Sequence, residues 1–187
     1  MFKLLHSFNA HAAQSLLLVI DIQDKLQPAM QRYEQVKQIT LQLAKVADLL
    51  AVPTLITQQY KQGLGETDLQ LQQQFNQASY FDKTHFSACK EPGFLQQIAA
   101  YERPQIIVVG MEAHVCVLQT CLDLLANGYQ VFLIADGVSS RNDLHRDLAI
   151  AQLRQAGAVI SCAESVIFQW AEVANTSLFK KVLELVK

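Results

Sequence analysis

The sequence predicts an α/β fold, a three-layer α/β/α sandwich built on a mainly parallel, Rossmann-like sheet. Short continuous apolar runs, typical of strands buried on both faces, alternate with segments whose apolar residues recur every three or four positions, as in amphipathic helices. The seven glycines and four prolines fall between these segments and not inside them. Strands that alternate with helices make right-handed crossovers, which produce a parallel sheet covered on both faces. We expect the 187 residues to form one domain, 1–187.

The first predicted elements are a strand, a helix and a second strand. The apolar run Leu16–Ile20 predicts a buried strand that ends at Asp21. Apolar residues at spacings of three and four predict a helix over 36–50, and Thr54–Thr57 follows as a second short strand. The stretch 58–79 is glutamine-rich, and we expect either a binding loop or lid, or a solvated insertion with one weak helix.

The second half of the chain repeats this alternation. After an irregular segment at 80–87 we predict, in order, a short helix ending at residue 100, a strand at 105–109, a helix at about 114–127, a strand at 130–134, a helix from 144 to about 156, a short strand at 158–160, and one or two helices over 164–187.

Charge and cysteine usage exclude several classes of protein. The net charge is −2, with acids and bases scattered along the chain, so neither nucleic acid nor a membrane surface is an expected partner. The start of the chain lacks the continuous apolar stretch of a secretory signal, and no segment is long enough for a membrane span. The four cysteines have no CxxC spacing, which favours a reduced, cytoplasmic protein.

Three polar groups follow predicted strands, and ligands bind beyond the carboxyl ends of strands in open parallel sheets. These groups are Asp21, Cys116 and Asp136, and Lys83 could reach the same edge from the middle segment. Cys116 opens a predicted helix, whose dipole favours a thiolate. Each residue alone is more often structural, but an acid, a cation and a cysteine at one edge form a candidate nucleophilic site.

A dinucleotide- or phosphate-binding site is not expected, because neither GxGxxG nor GxxxxGK[ST] occurs. The loop after Val109 contains only Gly110. We therefore predict no cofactor.

Several motifs, in this order along nearly the whole chain, resemble the isochorismatase-like cysteine hydrolase superfamily. Two stretches also resemble its isochorismatase domain-containing subgroup, namely the stretch from Thr57 to Gly65 and the four residues that begin at Gly110. The motifs are Asp21-Ile22-Gln23, Lys83-Thr84-His85-Phe86-Ser87, the segment from Gly110 to Cys116, and Asp136-Gly137-Val138-Ser139-Ser140-Arg141.

The resemblance implies a catalytic triad of Asp21, Lys83 and Cys116. It also implies a cis peptide bond between Met111 and Glu112, which turns the amide N–H groups of Glu112 and Cys116 toward one point. Two such donors would stabilise a tetrahedral oxyanion. The implied reaction is attack of Cys116 on an amide-like C–N substrate to give a thioester that water hydrolyses.

One departure from the family bears on metal and substrate. The nicotinamidase branch carries an aspartate and histidines near the second strand that hold a divalent metal. Here that place reads Thr57-Gln58-Gln59-Tyr60, with no histidine or acid until Glu66, which argues against a metal and against nicotinamide. Some members named for isochorismate lack the cysteine and cleave a vinyl ether, so the presence of Cys116 argues against that reaction.

Other side chains near these motifs are candidates for binding a small-molecule substrate, although a structural role is the more frequent one for the histidines and for Phe86. Trp170 is a further aromatic candidate for the pocket wall, and Arg141 is expected to make an ion pair or capping contact. The substrate-binding candidates are Gln23, Tyr60, His85, Phe86 and His114.

Relatives of this fold commonly self-associate, so a homo-oligomer, a dimer or larger, is expected. The apolar residues of the C-terminal segment, such as Val166, Ile167 and Trp170, either supply the interface or cover the chain's own sheet. Two alternatives to an enzyme stay open. One is a non-catalytic module that binds a small molecule or a protein on the same scaffold, and the other is a redox sensor that uses Cys116.

Overall fold

A computed structural model describes residues 8–75 and 77–186. In this part of the chain six strands form one all-parallel sheet with the order β3-β2-β1-β4-β5-β6. The strands are β1 (Ser15–Ile20), β2 (Thr54–Gln59), β3 (Ser79–Lys83), β4 (Gln105–Met111), β5 (Gln130–Ser139) and β6 (Val159–Ser161). This sheet, with helices on both faces, confirms the predicted α/β/α sandwich.

Helices connect successive strands, as the alternation in the sequence predicts, and the last two helices follow β6. The helices are α1 (Tyr33–Leu49), α2 (Lys61–Leu64), α3 (Leu69–Gln74), α4 (Phe94–Ala100), α5 (Leu118–Ala126), α6 (Asp143–Gln155), α7 (Ala163–Ala171) and α8 (Ser177–Val186). A π-helical turn, Ala113–Val117, leads directly into α5. None of the helices within the described ranges is long and apolar enough to cross a membrane.

The two faces of the sheet bury separate cores. In β1, Leu17 and Val19 face a layer formed mainly by α1, α7 and α8. Leu16, Leu18 and Ile20 face the opposite layer, formed by α4, α5 and α6. Alternate residues of one strand thus enter two apolar layers, which explains why β1 appears in the sequence as an unbroken apolar run.

The edge strand β3 was not predicted from the sequence, which suggested an irregular segment at this place. Ser79, Tyr80 and Asp82 are exposed, so this strand has no continuous apolar run. Among the described strands it pairs with β2 alone, in parallel, from Leu55 opposite Ser79 to Gln59 opposite Lys83. An edge strand with one covered side does not produce the pattern of a buried strand.

The stretch 58–79, in its described part without Asn76, contains more regular structure than the one weak helix that the sequence suggested. It begins with the end of β2 and contains α2 and α3. Asp68 accepts hydrogen bonds from the first backbone N–H groups of α3 and so caps this helix. Leu71 and Phe75 are buried in the core beside α1. This stretch is therefore anchored at several points.

The C-terminal helices cover the sheet of their own chain. Val166, Ile167 and Trp170 are buried in the core, and the indole N–H of Trp170 donates to the Ser15 hydroxyl at 2.9 Å. These three residues are therefore unavailable to another copy of the chain. The segment Met1–Ser7, for which the sequence predicts no secretory signal, lies outside the described residues, as does Lys187.

Candidate active site

The predicted acid, cation and cysteine meet at the carboxyl edge of the sheet. Asp21 follows β1, Lys83 ends β3, and Cys116 lies in the π-helical turn after β4. The strand order places the switch point between β1 and β4, because the connections leave these two strands in opposite directions. A switch point of this kind is where open α/β sheets bind ligands.

Asp21 is buried, and both of its carboxylate oxygens accept hydrogen bonds. Its Oδ1 accepts from the Thr57 hydroxyl at 2.6 Å, and its Oδ2 lies 2.7 Å from the Lys83 Nζ. Asp21 also has a left-handed backbone, with φ of 52°, which turns the chain sharply at the end of β1. Aspartate tolerates this conformation better than most residues. The turn holds the carboxylate at the edge of the sheet.

Lys83 is a fully buried cation surrounded by oxygen atoms. Its side chain is 0% exposed, and its Nζ donates to Asp21 at 2.7 Å and to Gln59 Oε1 at 2.6 Å. The carbonyl oxygens of His85 and Phe86 each lie 3.3 Å away. A buried charge is tolerated when it is paired and its protons are satisfied, and here both conditions hold.

The Cys116 thiol lies beside this ion pair and is 6% exposed. Burial, and after it the negative charge of Asp21, raises the pKa of the thiol to about 12, although the Lys83 ammonium acts in the opposite direction. The sequence suggested a thiolate at the positive end of a helix dipole. Burial and the Asp21 carboxylate favour the protonated thiol instead.

The loop that precedes Cys116 packs closely against β1. Gly110 has φ of 128°, and a Cβ atom built on it would lie 2.0 Å from the Ile20 carbonyl oxygen, so only glycine fits. The peptide bond between Met111 and Glu112 is cis, at the place that the family resemblance implies. The Glu112 carbonyl oxygen then accepts from the N–H of Val115 at 3.0 Å and starts the π-helical turn.

The Glu112 side chain is tied to the loop after β5. Both of its oxygens accept from the Arg141 guanidinium, each at 2.9 Å, which agrees with the ion pair expected of Arg141. His114 makes a second link, because its Nδ1 lies 3.0 Å from the Ser140 hydroxyl. Two side-chain bridges therefore hold the loop between β4 and the π-helical turn.

The remaining substrate-binding candidates differ in position. Tyr60 and Phe86 are exposed beside the ends of β2 and β3, and the carbonyl of Phe86 faces Lys83. His85 points to Glu91, with its Nδ1 2.9 Å from Oε2. His114 is half-buried and links to the loop after β5 as described above. These four residues remain candidates for contacting a substrate.

Three other residues that the sequence suggested for the site have structural roles instead. Gln23 is fully buried and its amide bonds the backbone of Gln59 and Gly65, which leaves it no group to offer a substrate. Asp136 accepts from the N–H of Ala163 at the start of α7. Trp170 belongs to the core, near the opposite end of β1.

Sequence reasoning missed two residues that contact the site, Thr57 and Gln59. Gln59 Oε1 lies 2.6 Å from the Lys83 Nζ and 3.9 Å from the Cys116 Sγ, and its Nε2 donates to the Thr84 carbonyl. The available signal was their spacing of two in a buried strand, which places both side chains on one face. Across residues 8–75 and 77–186, no group of three or more His, Cys, Asp or Glu side chains could hold a metal ion.

Glu91 fixes the short segment whose carbonyls face Lys83. Its Oε2 accepts from the backbone N–H groups of His85 at 3.0 Å and Thr84 at 2.8 Å. These contacts, that of His85 first, lower the pKa of the Glu91 carboxyl from 4.5 to about 2. The stabilisation is therefore complete above about pH 4.5 and is lost as the pH falls toward 2.

We expect Glu91→Gln to lower the free energy of unfolding by about 2 kcal/mol near neutral pH, because hydrogen bonds to a charged acceptor are lost. The difference from the wild type should shrink as the pH falls from 4.5 toward 2, since the wild-type carboxyl then becomes protonated. Urea unfolding over a pH series measures this, with Glu184→Gln on the exposed side of α8 as the control. A difference that did not change with pH would contradict the expectation.

Comparisons with known proteins agree with this architecture. Residues 15–165 match the isochorismatase domain. Isochorismatase domain-containing protein 2 of Bos taurus is 39% identical over 176 residues, which cover 92% of this chain and 83% of that protein. The structure of MAR1 ribonuclease from Caenorhabditis elegans is 35% identical, with a TM-score of 0.89 and coverage of 95% of this chain and 92% of that one. YcaC from Pseudomonas aeruginosa, solved with hexane-2,5-diol and covalent acrylamide, is 25% identical, with a TM-score of 0.88 and coverage of 99% and 93%.

Proposed function

Because the chain belongs to the isochorismatase family, we propose that it is a hydrolase that cleaves the C–N bond of a small amide-like substrate with Cys116 as nucleophile. In this proposal Asp21 is the base, Lys83 the cation, and the protein needs no metal or other cofactor. The single observation that carries it is the contact of the buried Cys116 thiol with the Asp21–Lys83 ion pair. A structural cysteine needs no such pair.

The ion pair gives the thiol a route to become a nucleophile. Since its pKa is about 12, the resting thiol is protonated at neutral pH, and attack requires a base in contact. Asp21 accepts the proton from Sγ as sulfur attacks the carbonyl carbon and the C=O electron pair moves to oxygen. When the C–N bond breaks, Asp21 returns that proton to nitrogen, and an amine or ammonia leaves.

A thioester on Cys116 then remains. Water attacks its carbonyl carbon while Asp21 takes a proton, the C–S bond breaks, and the proton returns to sulfur. The sum is amide plus water to carboxylic acid plus amine, with the enzyme unchanged. In both halves the developing oxyanion would accept hydrogen bonds from the backbone N–H groups of Glu112 and Cys116, each contributing about 3–4 kcal/mol. The Arg141 pair and the His114 link support the position of this loop.

The restricted access to the site favours a small substrate. Cys116, Asp21 and Lys83 are almost completely buried, so little space is open to a reacting group beside the thiol. The worm relative is named a ribonuclease, but the net charge of −2 and the buried Lys83 favour an uncharged amide over a polyanion.

A panel of small primary amides and carbamates tests the proposal, with release of ammonia as the readout. We expect the wild type to hydrolyse members of the panel and Cys116→Ala to lose this activity while keeping its fold. Cys121→Ala is the matched control, because this cysteine is buried on the adjoining α5. Unchanged hydrolysis by Cys116→Ala would rule out Cys116 as the nucleophile.

Two other outcomes would favour the alternatives to an enzyme. Binding of an amide without turnover would favour a non-catalytic module, and formation of a sulfenic acid on Cys116 after mild peroxide treatment would favour a redox sensor.

A further inference from the structure

Helix α6 has an apolar face that no part of the described chain covers. The inner face of α6 carries Ala149, Ile150 and Leu153, which are buried against the sheet. The outer face carries Leu144, Leu148 and Ala151, and the two leucines are 62% and 59% exposed. The spacings of four and three align these residues on one side of the helix. Large apolar side chains grouped on a surface mark a site of association.

We propose that this outer face of α6 is the contact surface between two copies of the chain, related by a two-fold axis with their α6 helices antiparallel. The argument for a second copy is charge complementarity within the helix itself. Asp147 and Arg154 are both exposed and stand seven residues, or two helical turns, apart on one flank of the apolar residues.

The two-fold axis brings these charges together twice. When it passes midway between Asp147 and Arg154, Asp147 of each copy lies opposite Arg154 of the other. Asp147 already accepts from Arg146 at 2.7 Å, and its side chain is 64% exposed, so its carboxylate has room for a second cation. Ala151 lies beside the axis, where a small side chain lets the two helices approach closely. Such an isologous contact closes on itself and gives a dimer instead of a filament.

The contact surface adjoins the candidate active site. Helix α6 packs against the π-helical turn that carries Cys116. At the start of α6, the ring of His145 lies 4.9 Å from that of His114, which follows the cis peptide bond by two residues. A second copy on α6 therefore stands close to the loop that carries the nucleophile.

Sedimentation velocity over a concentration series tests the contact surface. We expect the wild type to self-associate, and the double variant Leu144→Lys/Leu148→Lys to raise the dissociation constant at least about tenfold without loss of helical signal. Leu69→Lys is the matched control, since Leu69 is 62% exposed on α3, and this change should leave association unaffected. A wild type that stays monomeric, or a double variant that associates as tightly as the wild type, would overturn the proposal.

Charge reversal tests the antiparallel arrangement. Asp147→Arg and Arg154→Asp should each raise the dissociation constant about tenfold, because like charges then face each other. The two changes together restore opposite charges across the axis and should return the constant to within about threefold of the wild type. If the loss of association free energy in the combined variant equals the sum of the losses in the two single variants, the charges do not face each other and the antiparallel contact is wrong.

Discussion

Replacing Lys83 with methionine is expected to lower the rate of amide hydrolysis by a factor of roughly 10²–10⁴ and the free energy of unfolding by about 3–5 kcal/mol. The loss of rate and the loss of stability have one cause, the ion pair between Lys83 and Asp21. The Lys83 Nζ lies 2.7 Å from the Asp21 Oδ2 in a place where neither side chain is more than 1% exposed. Methionine fills the space of the lysine but leaves the Asp21 carboxylate without its cation, and an unpaired buried charge is strongly unfavourable.

The double variant Asp21→Asn/Lys83→Met separates chemistry from stability. It leaves no buried charge, so we expect much of the lost unfolding free energy to return while hydrolysis remains lost. Ammonia release and urea unfolding on the same preparations measure the two effects. Lys45→Met, an exposed lysine on α1, is the control and should change neither. Wild-type rates in Lys83→Met, or hydrolysis that returned together with stability in the double variant, would rule out the proposed role of the pair.

Gly110→Ala is expected to destabilise the protein by about 4 kcal/mol, a large part of the stability of a domain of this size. An alanine Cβ would lie 2.0 Å from the Ile20 carbonyl oxygen, and these are backbone atoms that cannot rotate away. Crowding of this kind costs about 1–3 kcal/mol, and a φ of 128° adds about 1–3 kcal/mol for a residue with a side chain. Thermal and urea unfolding measure the loss.

Gly128→Ala separates the two contributions. Gly128 also has a positive φ, of 85°, but a Cβ atom there meets no atom within 4 Å. This control should show the backbone cost alone, about 1 kcal/mol. Equal losses in the two variants would mean that the close approach of β4 to β1 is not the cause. Because Asp21 directly follows Ile20, Gly110→Ala should also reduce hydrolysis in the fraction that still folds.

Much of the fold could be predicted because the buried strands have a simple signature. The apolar runs of β1 and β4 enter two cores at once. The expectation that every glycine lies between elements was wrong, because Gly63, Gly110 and Gly137 lie inside α2, β4 and β5. Both the family resemblance and the α/β/α sandwich were confirmed. The edge strand β3 was missed because three of its five residues are exposed. The order of the strands in the sheet could not be predicted from the sequence either, since strand pairing depends on contacts between distant segments.

The candidate site was predictable only in part, for a related reason. Asp21, Lys83 and Cys116 were recognised as chemical types near strand ends, but their distances follow from the pairing of β1 with β2 and β4 and of β2 with β3. Gln59 and Thr57 were missed because glutamine and threonine have no distinctive chemistry until a charged neighbour is known. The protonated state of Cys116 was also unpredictable, since it depends on burial.

Because β3 lies at the edge of the sheet, we expect it to separate from the sheet before the central strands unfold. Lys83 is the last residue of this strand, and β2 is the one strand in the described part of the chain that pairs with it. Such a strand can separate from its neighbour in a local opening that costs less than global unfolding. When it separates, Lys83 leaves Asp21 while the central strands stay paired. If the chain hydrolyses amides as proposed, we expect this activity to be lost on heating at a lower temperature than the one at which the core melts.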